Sequence, residues 1–277
     1  MSLLVLKIGG SVRDPEPLLH DVAETVPRGE RVLLVHGASR DLNELSTALG
    51  YPPRMVESGR GDVTRFTDRT TMDHFLMAYA GLANKRIVER LRQLGVNAAG
   101  LSGLDGGIVQ GRRRADLRVV ENGRARVLHD NFVGGIEHVD ISLLGVLLER
   151  GYTPVLTPPI AAEDGTAINV DGDRLAAEVA IALHADALFI FADTAGILRD
   201  PGDEATLVTT VTLDDMDALG LSGRVRPKLH AASRAASHGV RDVRIADGRL
   251  AHPLSSAREG SGTTVSRTAS SAGSPRT

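Results

Sequence analysis

The sequence predicts an α/β protein built on a mostly parallel β-sheet. Short apolar runs with the composition of buried strands alternate along the chain with amphipathic stretches, and this alternation is typical of parallel strands joined by helices. The 277 residues are 42% hydrophobic. This is enough to bury the core of one large α/β domain, or of two lobes in close contact.

Apolar runs of strand length mark five candidates for buried strands. They are Leu3–Ile8, Arg31–Val35, Thr153–Leu156, Ala187–Ala192 and Val240–Ala246. Val265 is expected to close a last strand. The Ser-, Thr-, Gly- and Arg-rich segment 266–277 is expected to be a disordered tail, because it has too few apolar residues to pack.

Helical periodicity appears between these runs. Leu42, Leu45 and Leu49 recur at helical spacing, and residues 72–94 predict one long helix or two. A further helix is predicted over about residues 172–184. Asp171 is its expected N-cap, because a short carboxylate side chain can accept the unpaired N–H groups of a first turn.

A charged segment over residues 109–127 interrupts the alternation. Its Asn122-Gly123 pair stands between two β-capable runs, and Asn-Gly is a strong signal for a tight turn, so we expect a protruding β-hairpin. Residues 112–126 hold six arginines and two acidic residues, a local net charge of +4. The arginines are Arg112, Arg113, Arg114, Arg118, Arg124 and Arg126.

Composition argues against several classes of function. The chain has no cysteine, which removes disulfides, zinc–thiolate sites and thiol nucleophiles. A net charge of −3, the absence of Trp and an aromatic content of 3% argue against nucleic-acid binding. No apolar run approaches the roughly 18 residues of a membrane span. The first residues lack the features of a signal peptide, so a cytoplasmic location is expected.

Two glycine-containing turns follow the first two predicted strands. They are Lys7-Ile8-Gly9-Gly10-Ser11 and His36-Gly37-Ala38-Ser39. Glycine lets backbone N–H groups approach phosphate oxygens, and ligands of open α/β sheets gather at the carboxyl ends of strands. Either turn alone could be an ordinary strand-to-helix connection. Their recurrence at two successive strand ends indicates an anion site.

Two later segments supply charge. Asp173 follows the expected cap residue Asp171, and this second carboxylate could either complement the helix dipole or hold ammonium groups in place. Pro227 favours a helix start, which puts Lys228 in a first turn. Lys228 could be a phosphate ligand or a solvated surface lysine.

Together these segments resemble the amino acid kinase family, and within it the acetylglutamate kinase branch. The resemblance covers roughly residues 3–265 and rests on K-x-G-G-S, H-G-x-S, R-x-T-D, N-x-x-x-D and a late lysine, in that order. It implies an open αβα sandwich of the carbamate kinase-like type. It also implies an N-terminal lobe (1–160) for acyl-substrate binding and dimerisation, and a C-terminal lobe (161–265) for ATP.

The resemblance implies a role for each motif. Lys7 and Lys228 would neutralise the transferring phosphoryl group, and Asp173 would orient both lysines. Arg65 would clamp the substrate α-carboxylate with help from Asn169. Backbone N–H groups for phosphate would come from Gly9, Gly10, Gly37 and Ala38. Nucleotide contacts would come from Asp193, Gly196, Ile197 and Leu198. ATP would bind with Mg²⁺ held mainly by its phosphates, without a metal site of the protein's own.

One position departs from the family pattern. Family members usually have glycine where this chain has Ala38. An added methyl group would crowd the approach of the backbone to phosphate.

Several short segments are similar to one subgroup of the branch. These kinases phosphorylate 2-aminoadipate or glutamate while its α-amine is attached to the C-terminal glutamate of a small acidic amino-group carrier protein. The resembling segments are 64–69, 81–86, 100–106, 111–114, 121–123 and 156–159. The six arginines could steer such an acidic partner. A solvated hairpin in an arginine-rich chain would carry the same charges.

Other functions stay open at the level of sequence. An N-acetylglutamate kinase of arginine biosynthesis would use the same residues without a docking surface. A non-catalytic nucleotide-binding regulator would be expected to lack one of Lys7, Asp173 and Lys228, and all three are present. A dinucleotide-dependent oxidoreductase would need the third glycine of G-x-G-x-x-G, which the turn after Lys7 lacks.

Overall fold

The computed structural model describes residues 2–58, 63–121, 124–213, 223 and 225–267. The strands are β1 (Leu3–Ile8), β2 (Arg31–His36), β3 (Met55–Ser58), β4 (Val63–Arg65), β5 (Ala98–Gly103), β6 (Val109–Arg114), β7 (Leu117–Glu121), β8 (Arg124–Leu128), β9 (Val133–Val139), β10 (Thr153–Ala161), β11 (Ala167–Ile168), β12 (Ala187–Ala192), β13 (Ile197–Leu198), β14 (Leu207–Val208), β15 (Thr210–Thr212), β16 (Asp242–Asp247) and β17 (Thr263–Ser266). The helices are α1 (Glu16–Thr25), α2 (Ser39–Ala48), α3 (Arg69–Phe75), α4 (Asn84–Gln93), α5 (Ser142–Glu149), α6 (Gly172–Ala182), α7 (Val225–Ser237) and α8 (Pro253–Arg258). In the part of the chain so described, no helix is long and apolar enough to cross a membrane.

Most strands join one large sheet with β1 near its centre. The order is β15-β17-β16-β12-β1-β2-β10-β6-β9, and β5 and β11 also pair with β10. β1 pairs in parallel with β2 on one side and with β12 on the other. The pairs β2–β10, β5–β10 and β12–β16 are parallel as well. Because these strands point the same way, their carboxyl ends meet at one edge of the sheet.

Helices cover both faces of this sheet. Side chains of β1 alternate between the faces, as strand geometry requires. Leu3 and Val5 join the apolar core beneath α6 and α7, whereas Leu4, Leu6 and Ile8 join the core beneath α1, α4 and α8. A strand buried on both faces reads as a continuous apolar run, which is why the sequence marked β1 so clearly. The predicted αβα sandwich with a mostly parallel sheet is confirmed.

The five predicted buried strands are present. β1 and β12 have the predicted bounds, and β10 extends beyond its predicted end to Ala161. Asp171 caps α6 as predicted, because its carboxylate accepts the N–H of Arg174 at 2.8 Å. Val265 lies in β17, which includes Ser266. Of the expected tail, residues 268–277 lie outside the described part of the chain.

A π-helical segment joins the two halves of the predicted long helix. The helix begins after Asp68, whose carboxylate accepts the N–H of Thr71 at 2.9 Å. The chain continues from α3 through π-helical Leu76–Ala83 into α4. Such segments often mark functional sites. This one carries Tyr79, whose ring stacks on Phe75 with 3.8 Å between ring centroids.

The predicted hairpin over residues 109–127 is wrong in its bounds. Its first part, β6, pairs with β9 in the main sheet. The hairpin consists of β7 and β8, which belong to a second sheet of order β4-β3-β7-β8. The predicted Asn122-Gly123 turn lies outside the described residues. Local alternation shows that a segment is a strand but not which distant strand it pairs with.

Candidate active site

One open cavity of about 550 Å³ lies where the carboxyl ends of β1 and β12 and the turn after β2 meet the N-terminal ends of α6 and α7. Parallel strands and helix N-termini together favour an anionic ligand at such an edge. Of the predicted site residues, the cavity is lined by Lys7, Gly10, Gly37, Arg65, Asp173, Asp193, Gly196, Ile197 and Lys228. Gly9, Ala38, Asn169 and Leu198 do not line it.

Lys7, Asp173 and Lys228 form a buried ion-pair cluster on the cavity wall. Lys7 is the penultimate residue of β1, and its ammonium group contacts Asp173 Oδ1. Lys228, in the first turn of α7, places Nζ 3.0 Å from Asp173 Oδ2. The side chains of Lys7 and Asp173 are each 6% exposed and that of Lys228 is 17% exposed. Water therefore screens these charges weakly.

The contacts of the cluster set its charge. Burial opposes ionisation of Asp173, but the two ammonium groups outweigh burial and hold the pKa of Asp173 below its ordinary value. Burial and the charge of Lys7 lower the pKa of Lys228, while attraction to Asp173 acts in the opposite direction. Two lysines against one carboxylate leave an excess positive charge within this cluster, which suits the binding of phosphate.

The turns after β1 and β2 lie against each other. A Cβ atom on Gly10 would lie 2.9 Å from Ser39 Oγ, so this approach requires glycine. Gly9 and Gly37 use their N–H groups within the protein, donating to carbonyl oxygens of β12 and β1 at 2.9 and 3.2 Å. No hydrogen bond found among the described residues uses the N–H of Gly10. This N–H is therefore the freest of the predicted backbone donors.

Ala38 does not crowd the cavity, despite its departure from the family pattern. Its side chain is buried in an apolar cluster with Leu42, Phe75 and Tyr79. Its N–H group faces the hydroxyl oxygen of Tyr79. Burial raises the pKa of the Tyr79 phenol, and the hydrogen bond from Ala38 offsets part of that rise. Tyr79 thus keeps its O–H at neutral pH beside the cavity.

Tyr79 lines the cavity but was not among the residues predicted from the sequence. An aromatic side chain within a helical apolar pattern is ordinarily a core residue, and Tyr79 is 8% exposed. Tyr79 lies in the π-helical segment, which packs beside the cavity. The local sequence offered no signal for that segment.

Arg65 ends β4 and lines the cavity. Its Nη2 donates to Asn43 Oδ1. Its Nε is buried and has no hydrogen-bond partner among the described residues. Burial lowers the pKa of Arg65, but a guanidinium stays charged near neutral pH. A guanidinium that lines the cavity suits a substrate carboxylate.

Asn169 lies just outside the cavity. Its N–H donates to Phe132 O at 2.7 Å, and its carbonyl accepts the N–H of Gly134 at 2.9 Å. These bonds fix Asn169 beside β9, one residue before cavity-lining Val170. Its predicted help in binding the α-carboxylate therefore stays a prediction.

The loop after β12 forms the opposite end of the cavity. Asp193, Gly196 and Ile197 line it, whereas Leu198 is buried behind them. Thr263 in β17 anchors the loop, because its hydroxyl oxygen accepts the N–H of Ile197 at 2.8 Å. The predicted nucleotide loop is thus attached to the far part of the sheet rather than to β1.

A buried polar pair supports the turn after β2. Asn84 Nδ2 lies 3.1 Å from His36 Nε2 and also donates to Val155 O at 2.9 Å. Burial lowers the pKa of His36 to about 4, and the nearby charges of Lys7 and Lys85 act in the same direction. His36 is therefore neutral near pH 7 and can accept a hydrogen bond from Asn84.

The six arginines of the basic segment do not form one surface. Arg112 pairs with Glu137 and Glu163 at 3.1 and 3.3 Å. Arg113 Nε donates to Asn131 O at 2.9 Å, and its guanidinium carbon lies 3.7 Å from the ring centroid of Phe132. Arg113 is thus committed to internal contacts, contrary to its predicted docking role. The exposed arginines of the hairpin itself are Arg118, Arg124 and Arg126.

Two carboxylates of the cavity already have other partners and are therefore poorly suited to bind a metal ion. Asp171 caps α6, and Asp173 is paired with both lysines. Within the described ranges, no three His, Asp or Glu side chains gather as a metal site. Asp193 is the remaining carboxylate of the cavity, so a metal ion there would take most of its ligands from a bound phosphate, for which the lysines and the Gly10 N–H are fitting partners.

The sequence of this chain is similar to those of known proteins. The sequence profile of the Amino acid kinase family matches residues 2–247. The chain is 45% identical over 269 residues to the "[LysW]-aminoadipate kinase" of Deinococcus radiodurans, covering 96% of this chain and 92% of that protein. It is 37% identical over 265 residues to the acetylglutamate kinase of Methanopyrus kandleri, covering 94% of this chain and 99% of that protein.

The fold is also found in a solved structure. The carbamate kinase of Giardia aligns with a TM-score of 0.65 at 14% identity, covering 96% of this chain and 99% of that chain. At this identity the likeness shows a common fold.

Proposed function

Because the chain belongs to the amino acid kinase family, we propose that it transfers the γ-phosphoryl group of ATP to a side-chain carboxylate and forms an acyl phosphate. The acceptor is 2-aminoadipate or glutamate whose α-amine is attached to a small acidic amino-group carrier protein. The observation that carries the reaction class is the buried cluster of Lys7, Asp173 and Lys228 at the cavity wall.

Phosphoryl transfer to a carboxylate requires compensation of negative charge and no proton transfer. A carboxylate oxygen forms a bond to the γ-phosphorus, and the bond from that phosphorus to the β,γ-bridging oxygen breaks. The acceptor carboxylate is already ionised at neutral pH, so no general base is needed. Lys7 and Lys228 compensate negative charge on the transferring group, and Asp173 holds both ammonium groups in place.

The two ends of the cavity suit two substrates. Arg65, whose charged side chain lines the cavity, supports an acyl-substrate site in the N-terminal lobe (1–160), assisted by Asn169. The loop from Asp193 to Leu198 supports an ATP site in the C-terminal lobe (161–265). Bound ATP supplies the phosphoryl group, with Mg²⁺ held mainly by its phosphates.

Two observations favour the carrier-linked substrate. The Deinococcus relative, named for a [LysW]-linked aminoadipate, is 45% identical, against 37% for the Methanopyrus acetylglutamate kinase. The exposed hairpin arginines Arg118, Arg124 and Arg126 also offer a basic surface to an acidic protein. We define these three arginines as the basic surface.

A direct assay tests this assignment. The purified enzyme is given ATP and either carrier-linked 2-aminoadipate, carrier-linked glutamate or N-acetylglutamate, and ADP release is followed. We expect kcat/KM to be at least about tenfold higher for a carrier-linked substrate, a difference of about 1.4 kcal/mol. Faster turnover of N-acetylglutamate would make the protein an acetylglutamate kinase. ATP binding without turnover of any substrate would favour a non-catalytic regulator.

The remaining expectations belong to the same proposal. By resemblance to its family, the enzyme is a homodimer formed through the N-terminal lobe and works in the cytoplasm. Sedimentation analysis of the purified protein would test the dimer directly, and a monomer at micromolar concentration would contradict it.

A further inference from the structure

A second cavity adjoins the active-site cavity and has no role in the reaction described above. It has a volume of about 230 Å³ and lies between β6, β9 and the start of α6. Val170 and Asp171 line both cavities, so the two are separated by the width of one backbone segment at most. Arg114 and Arg174 stand at the second cavity from opposite elements.

Two glycines form part of the wall of this cavity. They are Gly134 and Gly135 of β9. A Cβ atom on Gly134 would lie 2.5 Å from both Arg112 O and Ile168 Cδ1, so the strand cannot carry a side chain there without moving its neighbours. Arg114 lies close to this wall, because its Nη2 would be 3.4 Å from a Cβ atom on Gly135.

The residues around this cavity carry an excess of positive charge, which favours an anionic ligand. Among the described residues, Arg114 has no carboxylate within ion-pairing distance, unlike its neighbours on β6. Arg174 Nε pairs with Glu178 at 2.5 Å, but Arg234 Nε binds the same Glu178 oxygen at 2.5 Å. Asp171, the acidic residue of the wall, is committed to capping α6. Three arginines thus face two carboxylates, which leaves one positive charge.

The cavity also lies beside the residue that is proposed to help bind the α-carboxylate. Asn169, proposed to help bind the α-carboxylate, is bonded through its carbonyl to the N–H of Gly134 in the cavity wall. The α-amine and the α-carboxylate of an amino acid sit on the same carbon. A group attached to the amine therefore begins within a few bonds of Asn169.

We infer that this cavity, between Arg114 and Arg174, is a subsite for a carboxylate carried by the group that blocks the substrate amine. The inference rests on the proposed function and deepens it. A glutamate joined through its side chain carries such a carboxylate on its main chain, whereas an acetyl group carries none. The subsite therefore gives the enzyme a way to prefer an acidic blocking group over an acetyl group.

Two small ligands isolate this contact. N-glutaryl-2-aminoadipate has the carbon chain and carboxylate of a side-chain-linked glutamate without its amine. N-pentanoyl-2-aminoadipate has the same chain length with a methyl group in place of that carboxylate. Neither ligand reaches the basic surface as a protein would. Calorimetry measures the Kd of each with native enzyme and with the double variant Arg114→Gln, Arg174→Gln.

Native enzyme should bind the glutaryl ligand about ten- to a hundredfold more tightly than the pentanoyl ligand, the range of a hydrogen bond to a charged group. In the double variant this ratio should fall to about one, with the Kd for ATP unchanged. The double variant Arg28→Gln, Arg241→Gln is the matched control, because it removes the same charge at two exposed arginines that do not line the cavity. It should keep the native ratio.

The result that would overturn the subsite is a native ratio near one, or a native ratio that survives in the double variant. An equal loss of affinity for both ligands preserves the ratio and therefore also counts against the subsite. These outcomes are separate from failure of the proposed function. That failure would show in native enzyme as the absence of phosphoryl transfer to any N-blocked acidic amino acid.

Discussion

At the scale of single residues, the two lysines of the cavity act as one unit with Asp173. Lys7→Ala and Lys228→Ala should each lower kcat by about a hundredfold or more, the scale seen when one charge-stabilising donor is removed. Asp173→Asn should also lower kcat, because the amide keeps the volume but loses the charge that holds both ammonium groups. Steady-state assays at saturating ATP measure these effects.

Lys85→Ala is the matched control for the lysine variants. Lys85 Nζ donates to Asn84 Oδ1 at 3.1 Å and to Gly100 O at 3.0 Å, and it does not line the cavity. Its kcat should stay close to that of the native enzyme. Circular dichroism should show a native fold in every variant. Near-normal kcat in both cavity-lysine variants would be incompatible with a kinase mechanism at this site.

Arg65 should act on substrate binding rather than on phosphoryl transfer. Arg65→Ala removes a charged donor from a carboxylate, which costs more than about 2 kcal/mol, or about thirtyfold in binding. We therefore expect the KM of the acyl substrate to rise by at least that factor, with the KM of ATP unchanged. Arg69→Ala, which removes an exposed ion pair with Asp73, is a suitable control. An unchanged KM would show that Arg65 does not contact the substrate.

At the scale of elements, the hairpin of β7 and β8 should control association with the carrier. Replacing Arg118, Arg124 and Arg126 with Ser should lower kcat/KM for carrier-linked substrate and leave that of a small N-acyl substrate nearly unchanged. Added salt should slow the native enzyme toward the variant, because the Debye length is already roughly 8 Å at 0.15 M salt.

A charge-matched control separates local steering from net charge. The triple Ser variant of Arg28, Arg92 and Arg241 changes the net charge by the same amount, and these exposed arginines lie outside the second sheet. It should retain native kcat/KM on the carrier-linked substrate. Equal effects of the two triple variants would mean that the hairpin has no specific role.

At the scale of the whole molecule, buried His36 should make folding stability depend on pH. Its pKa is about 4 in the folded protein against an ordinary 6.5, so the unfolded chain binds more protons between these values. Stability is then complete above pH 6.5 and falls as pH drops toward 4, by up to about 3 kcal/mol. Urea denaturation across this range measures the loss. His36→Gln should flatten the profile, and an equally steep profile in that variant would assign the loss to other groups.

The sequence predicted the fold best where a strand is buried on both faces. β1 and β12 appear at their predicted bounds because such strands must be apolar along their whole length. The prediction was wrong for β6, because the alternating pattern of a charged strand does not indicate which strand it pairs with. β6 pairs with β9 and not with β7. The three arginines of β6 therefore lie in the main sheet and not in the hairpin in which they were predicted.

The sequence by itself determined the αβα class, the glycine turns and the identity of Lys7, Asp173 and Lys228 as candidate charges. These follow from local pattern and motif order. Only the tertiary structure decided that the three side chains meet and that the N–H groups of Gly9 and Gly37 donate to backbone carbonyl oxygens. It also decided that Tyr79 and Arg114 each line a cavity. The physical reason is that hydrogen-bond partners, ion pairs and cavity walls are set by residues far apart in the chain, which local periodicity does not relate.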